Sequence, residues 1–277
     1  MAVIIHTKGD LTLFTIKNYV VVKDLEEAYV LNQKRNNVVL GGIAWLKMGE
    51  RNIQNAIDLS NLGLDKIEET EEAFEIGCMV TLRELETHLV LNSYFNGAIA
   101  KSTKHIVGVQ FRNCATAGGS IFSRFGFSDI LTCFLALDAY VKLYKGGVIP
   151  LSAFADMPRD NDILEKIIIK KDRREVSYLT HRRTATDIPV IACTVARVNQ
   201  KWQVVLGARP SKAIRLLDEE QMLSYNPTEE EITKFVEYIK DNTQFGSNMR
   251  ATAEFRKHLA GVLCKRGINE ISEGKVL

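Results

Sequence analysis

Short apolar runs separated by polar turns fill the first two thirds of this chain, and two amphipathic stretches close it. Leu11 to Val22 is apolar and β-branched, which predicts one or two short strands. Asp24-Leu25-Glu26-Glu27 has the form of a capping box and predicts a helix to about Lys34. Val38 to Leu40 predicts a buried strand that runs into Gly41-Gly42, and Ala56 to Leu59 and Phe74 to Met79 predict two more. Thr81-Leu82-Arg83-Glu84 is a second capping box, so a helix is expected from Thr81 to about Leu91, with a further one between Tyr94 and His105. Asp129 to Asp138 is apolar with an acid at its start, the pattern of a largely buried helix. Tyr140 to Tyr144 alternates in strand fashion, and Gly146-Gly147 turns it back into Val148-Ile149-Pro150. Lys166 to Ile169 is a strand, and the charged stretch Lys170 to Glu175 follows. Beyond it, Pro189 to Val198 and Trp202 to Leu206 predict an antiparallel pair joined at Asn199-Gln200-Lys201, and Thr228 to Asp241 and Arg250 to Arg266 predict amphipathic helices.

Composition narrows the function classes. A formal net charge of +2 gives no general argument for a polyanion partner, and acids interrupt the basic run at 170–175, which fits a solvated linker better than a nucleic-acid surface. No apolar stretch is long enough for a membrane span, and Met1 to Asp10 lacks a signal-peptide cleavage pattern. The five cysteines, Cys78, Cys114, Cys133, Cys193 and Cys264, stand singly, without C-x-x-C pairs or histidines at metal-ligand spacing. That predicts free thiols, a reducing cytoplasmic setting, no metal site, and no iron–sulfur cluster on this chain. The five histidines, His6, His88, His105, His181 and His258, are scattered and read as structural rather than catalytic. The common nucleotide, zinc and nucleophile-elbow motifs are absent.

The chemistry concentrates in two glycine pairs. Val38-Val39-Leu40-Gly41-Gly42 ends a strand, and Phe111-Arg112-Asn113-Cys114-Ala115-Thr116-Ala117-Gly118-Gly119-Ser120 lies between apolar segments with Asp129 downstream. Glycine lets a ligand approach the main chain and lets successive N–H groups converge on an anion, so two such loops are able to clamp one phosphate-bearing ligand. A glycine pair is equally common in hairpins and caps, and by itself specifies no ligand.

The order of segments is more specific. The glycine pairs, Ile76-Gly77-Cys78-Met79-Val80-Thr81-Leu82-Arg83-Glu84-Leu85, Ser128-Asp129 and Leu151-Ser152-Ala153-Phe154 together resemble the FAD-binding medium subunit of the molybdenum hydroxylases, the xanthine dehydrogenase and carbon monoxide dehydrogenase flavoproteins. The resemblance runs from about Phe14 to the C-terminal helix and implies an α+β fold. A two-subdomain FAD-binding domain (PCMH-type) is expected over residues 1–172, and a smaller α+β domain with a three-stranded antiparallel sheet and helices over 173–277. It implies FAD contacts at Val39, Leu40, Gly41, Gly42, Ile43, Ala44, Trp45 and Leu46, at Ile106, at Thr116, Ala117, Gly118, Gly119 and Ser120, at Asp129 and at Leu164. No residue of the chain is implied to be catalytic. The expected partners are a small iron–sulfur subunit with [2Fe–2S] clusters and a large molybdopterin-binding subunit, with NAD or another acceptor taking the electrons.

Several positions depart from the family pattern. Ile43 and Ala44 stand where a hydroxyl residue and an acid usually follow the first pair, and Ser120 replaces an asparagine. Phe125-Gly126-Phe127 replaces a proline-containing segment, and Leu179 falls where a lysine is common. Two other readings stay open from the sequence: a stand-alone flavoenzyme with the same FAD-domain architecture, and a scaffold subunit that has lost flavin. The oxidised substrate would bind another chain, so purine, aldehyde, nicotinate and other heterocycle oxidation all remain open.

Overall fold

The computed structural model describes residues 14–274. Leu11 to Leu13, the start of the first expected strand, and His6 lie outside them. A parallel three-stranded sheet opens the described chain. It comprises β1 (Thr15–Val21), β2 (Asn37–Leu40) and β3 (Asn52–Asp58), with β3 in the middle and α1 (Leu25–Asn32) as the crossover between β1 and β2. Asp24 caps α1, its carboxylate accepting from Glu27 N, while the Glu27 side chain accepts from Lys23 N. Parallel pairing carries β2 alongside β3, and both point their C-terminal ends at the first glycine pair.

A five-stranded sheet follows, in the order β4 (Ile67–Glu69), β5 (Ala73–Gly77), β8 (Leu164–Lys170), β6 (Ala139–Leu143), β7 (Gly147–Pro150). The β6–β7 hairpin turns at Gly146-Gly147 as expected, with Gly147 in the left-handed region (φ 68°). Short helices accompany this sheet: α2 (Leu82–Thr87), α3 (Leu89–Tyr94), α4 (Ala98–Lys104), α5 (Val109–Arg112), α6 (Ala117–Phe122), α7 (Asp129–Phe134) and α8 (Leu151–Asp156), of which α6 and α8 pack directly on it. The helix expected from Thr81 to Leu91 is two helices. His88 leaves the helical region, and its Nδ1 accepts from Leu91 N, capping α3. The Thr81–Glu84 capping box is present. All six residues of α7 are buried, as its apolar sequence requires.

The C-terminal part contains a four-stranded antiparallel sheet, β12 (Ile214–Leu217), β11 (Lys201–Gly207), β10 (Ile191–Val198), β9 (Glu175–His181), with α9 (Glu229–Asp241) and α10 (Ala253–Ser272) against it. The expected three strands become four. β9 begins inside the charged stretch and carries polar residues, so its pattern is masked in the sequence. On β10 the two-residue period divides the faces. Ile191, Cys193 and Val195 face the helices' core, whereas Ala192 and Ala196 join the core of the preceding sheet. Thr194 Oγ1 donates to Thr132 O of α7 (3.1 Å), so the C-terminal sheet is docked on the part that carries the glycine pairs.

Candidate functional site

The two glycine segments meet. A Cβ built on Gly42 would lie 2.1 Å from Cys114 O, and one on Gly118 would lie 2.6 Å from Cys78 O. Both glycines are therefore required by backbone packed against backbone within the protein. Gly41 approaches Thr116 Oγ1, where a Cβ would sit at 2.8 Å. Gly119 is different: a Cβ there would meet only Thr116 Oγ1, at 3.2 Å, and the residue is exposed.

The second segment is the N-terminal turn of α6 rather than an open loop. Thr116 is its N-cap, the hydroxyl accepting from Gly119 N (3.1 Å). Ala117 N and Gly118 N donate to Val80 O and Cys78 O, and Ser120 N to Thr116 O. The amides of 117–120 are thus already bonded. The first segment is the reverse. Among the described residues, the N–H groups of Gly41, Gly42, Ile43 and Ala44 have no protein acceptor. Ile43 holds φ 47°, a region a β-branched residue rarely occupies, which marks this loop as a strained, special conformation.

Arg112 fixes the second segment. It is buried, with Nε donating to Glu86 Oε2 (2.8 Å) and Nη2 to Glu86 Oε1 (3.2 Å), and Nη1 reaching Ile106 O and Val107 O. This bidentate fork ties α5 to α2. Burial pushes the Glu86 carboxyl up, but its bonds and charge pairing with Arg112 and Arg83 outweigh that and hold it below the usual glutamate range.

Between the segments runs a cleft of about 620 Å³. Val39 to Leu46, Thr116, Gly118, Gly119 and Leu164 line it, as do Cys78 and Met79, whose thiol and thioether the sequence reading did not single out. Burial pushes the Cys78 thiol up to about 12, so it stays protonated. Lys34, Arg35, Arg51 and Arg159 rim the cleft, and none forms an ion pair among the described residues. Asp160 and Asp162 also line the cleft, and the Asp162 carboxylate accepts from the backbone N–H groups of Lys145, Gly146 and Ile163.

Ile106, Ser120 and Asp129 lie elsewhere, in a smaller cavity of about 130 Å³ that shares Ala44, Trp45, Ala115, Gly119 and Phe125 with the cleft. Residues of the C-terminal part, among them Arg182 and Pro189, close its far side. Asp129 is buried, and its Oδ1 accepts from both the Tyr178 hydroxyl and Arg182 Nη2. Burial pushes the Asp129 carboxyl up against the pull of Arg182 and Tyr178, and pushes the Tyr178 hydroxyl well up. In the same cavity burial and the neighbouring Arg182 and Lys104 charges hold His105 below its ordinary value. Ala117 is fully buried and lines neither space, so it supports α6 from behind.

The family model of the FAD binding domain in molybdopterin dehydrogenase matches residues 14–171. The chain belongs to this family. A second model, the CO dehydrogenase flavoprotein C-terminal domain, matches residues 177–271. An uncharacterized protein of Escherichia coli (strain K12), YgfM, is 27% identical over 210 residues, covering 75% of this chain and 76% of that one. The xanthine dehydrogenase FAD-binding subunit of Escherichia coli O157:H7 is 25% identical over 237 residues, covering 78% and 81%. The fold matches carbon monoxide dehydrogenase from Hydrogenophaga pseudoflava with a TM-score of 0.83 at 19% identity, covering 94% of this chain and 98% of that one. It also matches quinoline 2-oxidoreductase from Pseudomonas putida 86, with a TM-score of 0.82 at 16% identity and coverage of 95% and 99%.

The chain is thus an FAD-binding subunit of the molybdenum hydroxylase type, an oxidoreductase component. The geometry fits that cofactor. The cleft volume lies within the range of small-molecule sites. The unpartnered amides of 41–44 suit a pyrophosphate, and the open face of Gly119 lets it come close. The sequence pattern pointed to both glycine pairs. It missed Glu86 and Arg112 as a clamp, and Tyr178 and Arg182 as partners of Asp129, because each depends on residues far apart in the chain. Among the described residues, no helix is long and apolar enough to cross a membrane.

Proposed function

We propose that this chain carries electrons out of a molybdenum hydroxylase complex, receiving them from the iron–sulfur clusters of a partner subunit and delivering them to an acceptor such as NAD. The observation that carries this reading is the succession of two family domains over 14–171 and 177–271, the arrangement of a CO dehydrogenase-type flavoprotein. FAD, when bound, supplies the ability to exchange electrons singly or in pairs. The chain's own residues bind and orient it. The amides of Gly41 to Ala44 would face the pyrophosphate, with Lys34, Arg35, Arg51 and Arg159 adding positive charge around it. Gly119 and Thr116 would form the opposite wall, and Leu164 and Val39 would pack against apolar cofactor atoms. Asp129 keeps its second oxygen for a cofactor hydroxyl while Arg182 and Tyr178 hold the first. The sequence-assigned contacts include no histidine or cysteine, and Cys78, which lines the cleft, is kept a protonated thiol by burial, which supports a non-covalent FAD. Domains of 1–172 and 173–277 serve this division: the first holds the cofactor, and the second closes the smaller cavity.

Affinity purification from the native source, followed by mass spectrometry and metal analysis, tests the proposal. Co-purification with an iron–sulfur chain and a molybdopterin chain is expected. Recovery only as a free flavoprotein without iron or molybdenum would overturn it in favour of a stand-alone flavoenzyme.

A further inference from the structure

Trp45 and Phe125 line both cavities, and Phe127 lines the smaller one. The rings of Phe125 and Phe127 stack at 5.0 Å and 11°, and the Trp45 indole leans on both, at 5.8 and 5.5 Å. The Phe125–Phe127 turn is fixed from behind. Gly126 O accepts from Ala208 N (2.6 Å), and a Cβ on Gly126 would meet Ser211 O at 1.9 Å. Trp45 is nonetheless 50% exposed, although it has two aromatic neighbours, and it borders both cavities. A large indole held in place by a rigid pair and left open on its remaining surface is a ready stacking platform.

Position along the cleft selects the ring. Lys34 and Arg35 precede β2, and the free amides follow it. Four residues of extended strand span about 13 Å. Trp45 follows the amides in the chain and lines the cleft where the cleft adjoins the small cavity. One end of a dinucleotide would therefore reach the polar rim and the other the indole. The small cavity pairs an apolar side of Leu82, Ile106, Val107, Phe111 and Pro189 with the polar groups of His105, Asp129 and Arg182, a mixture that suits a ring with an apolar and a polar edge. We propose that Trp45, braced by Phe125 and Phe127, stacks on the isoalloxazine ring of FAD and sets the chain's preference for the flavin half of the cofactor. Phe125 and Phe127 are positioning residues that hold the indole. The inference rests on the cleft being the FAD site.

The test uses apoprotein of the full chain, titrated with FAD and, separately, with ADP, which carries the adenine and pyrophosphate without the flavin. Calorimetry gives Kd, and indole emission reports stacking. Trp202 supplies a constant background, because it is buried with its N–H donated to Ser224 O. Trp45→Ala is expected to weaken FAD about 5- to 150-fold, the range for loss of one ring–aromatic stack. ADP affinity should change less than about twofold, and Trp45→Phe should restore most of the FAD affinity. FAD, and not ADP, should quench the Trp45 emission. Unchanged FAD affinity in Trp45→Ala would overturn the stacking role while leaving the cleft assignment intact. Equal loss for ADP would put adenine on the platform and overturn the assignment of the ring. Wild-type protein that binds neither ligand would sink the cleft reading itself.

Discussion

A single methyl group added at Gly42 should separate the two glycine segments, and the same change at Gly119 should not. In Gly42→Ala the new carbon would begin 2.1 Å from Cys114 O and 2.5 Å from Ala115 Cα, where ordinary contact starts near 3.4 Å. Both obstacles are backbone, so relief requires moving one segment by more than about 1 Å. Overpacking of this kind costs about 1–3 kcal/mol. If FAD binding must draw the segments together again, that strain reappears as about a 5- to 150-fold rise in Kd. In Gly119→Ala the methyl meets only the Thr116 hydroxyl at 3.2 Å, a contact relieved by a few tenths of an ångström. Gly119 lies inside α6, where alanine is favoured over glycine by up to about 1 kcal/mol. The apoprotein should therefore hold or raise its Tm, while the methyl intrudes on the open face of the cleft and weakens FAD. Thermal unfolding of the apoproteins and FAD titration of each distinguish the cases. Wild-type Tm and affinity in Gly42→Ala would refute the interlocked geometry, and unchanged FAD affinity in Gly119→Ala would refute the ligand-facing role.

Other outcomes follow from the same geometry. Because Glu86 is depressed in the folded state, its contribution is present above the ordinary glutamate value and is lost as pH falls through the folded value. Glu86→Gln should therefore melt lower near neutrality and show a flatter loss of stability on the acid side than wild type; parallel pH–Tm curves would contradict this. Asp129→Ala leaves the buried Arg182 cation without its carboxylate, which should cost about 3–5 kcal/mol in denaturant unfolding. A Cm within error of wild type would show that the pair is dispensable. Acid precipitation of the FAD-loaded protein should release all flavin absorbance into the supernatant, whereas yellow colour retained in the pellet would indicate a covalent link.

The glycine pairs were readable from the sequence because few backbones tolerate such close approach, but what approaches was not. Gly42 and Gly118 admit the protein's own carbonyls, and only the fold distinguishes them from Gly119. Gly118-Gly119 read as a loop because glycine disfavours helix; the Thr116 cap and the bonds to Cys78 O and Val80 O override that preference. β9 escaped notice because Glu175 and His181 border a short run flanked by charges. The acid at Asp129 was legible, but its partners Tyr178 and Arg182 stand 49 and 53 residues away and became visible only when the C-terminal sheet docked. Phe125 and Phe127 registered only as departures from a pattern, because stacking is a property of the folded turn.

Amide hydrogen exchange with and without FAD tests the central claim most directly. The N–H groups of Gly41, Gly42, Ile43 and Ala44 lack protein acceptors, whereas those of Gly118 and Gly119 are already bonded. A pyrophosphate held by the first segment predicts marked slowing of exchange at 41–44 when FAD binds, with little change at 118–119. Saturating FAD that leaves exchange at 41–44 untouched would contradict the account.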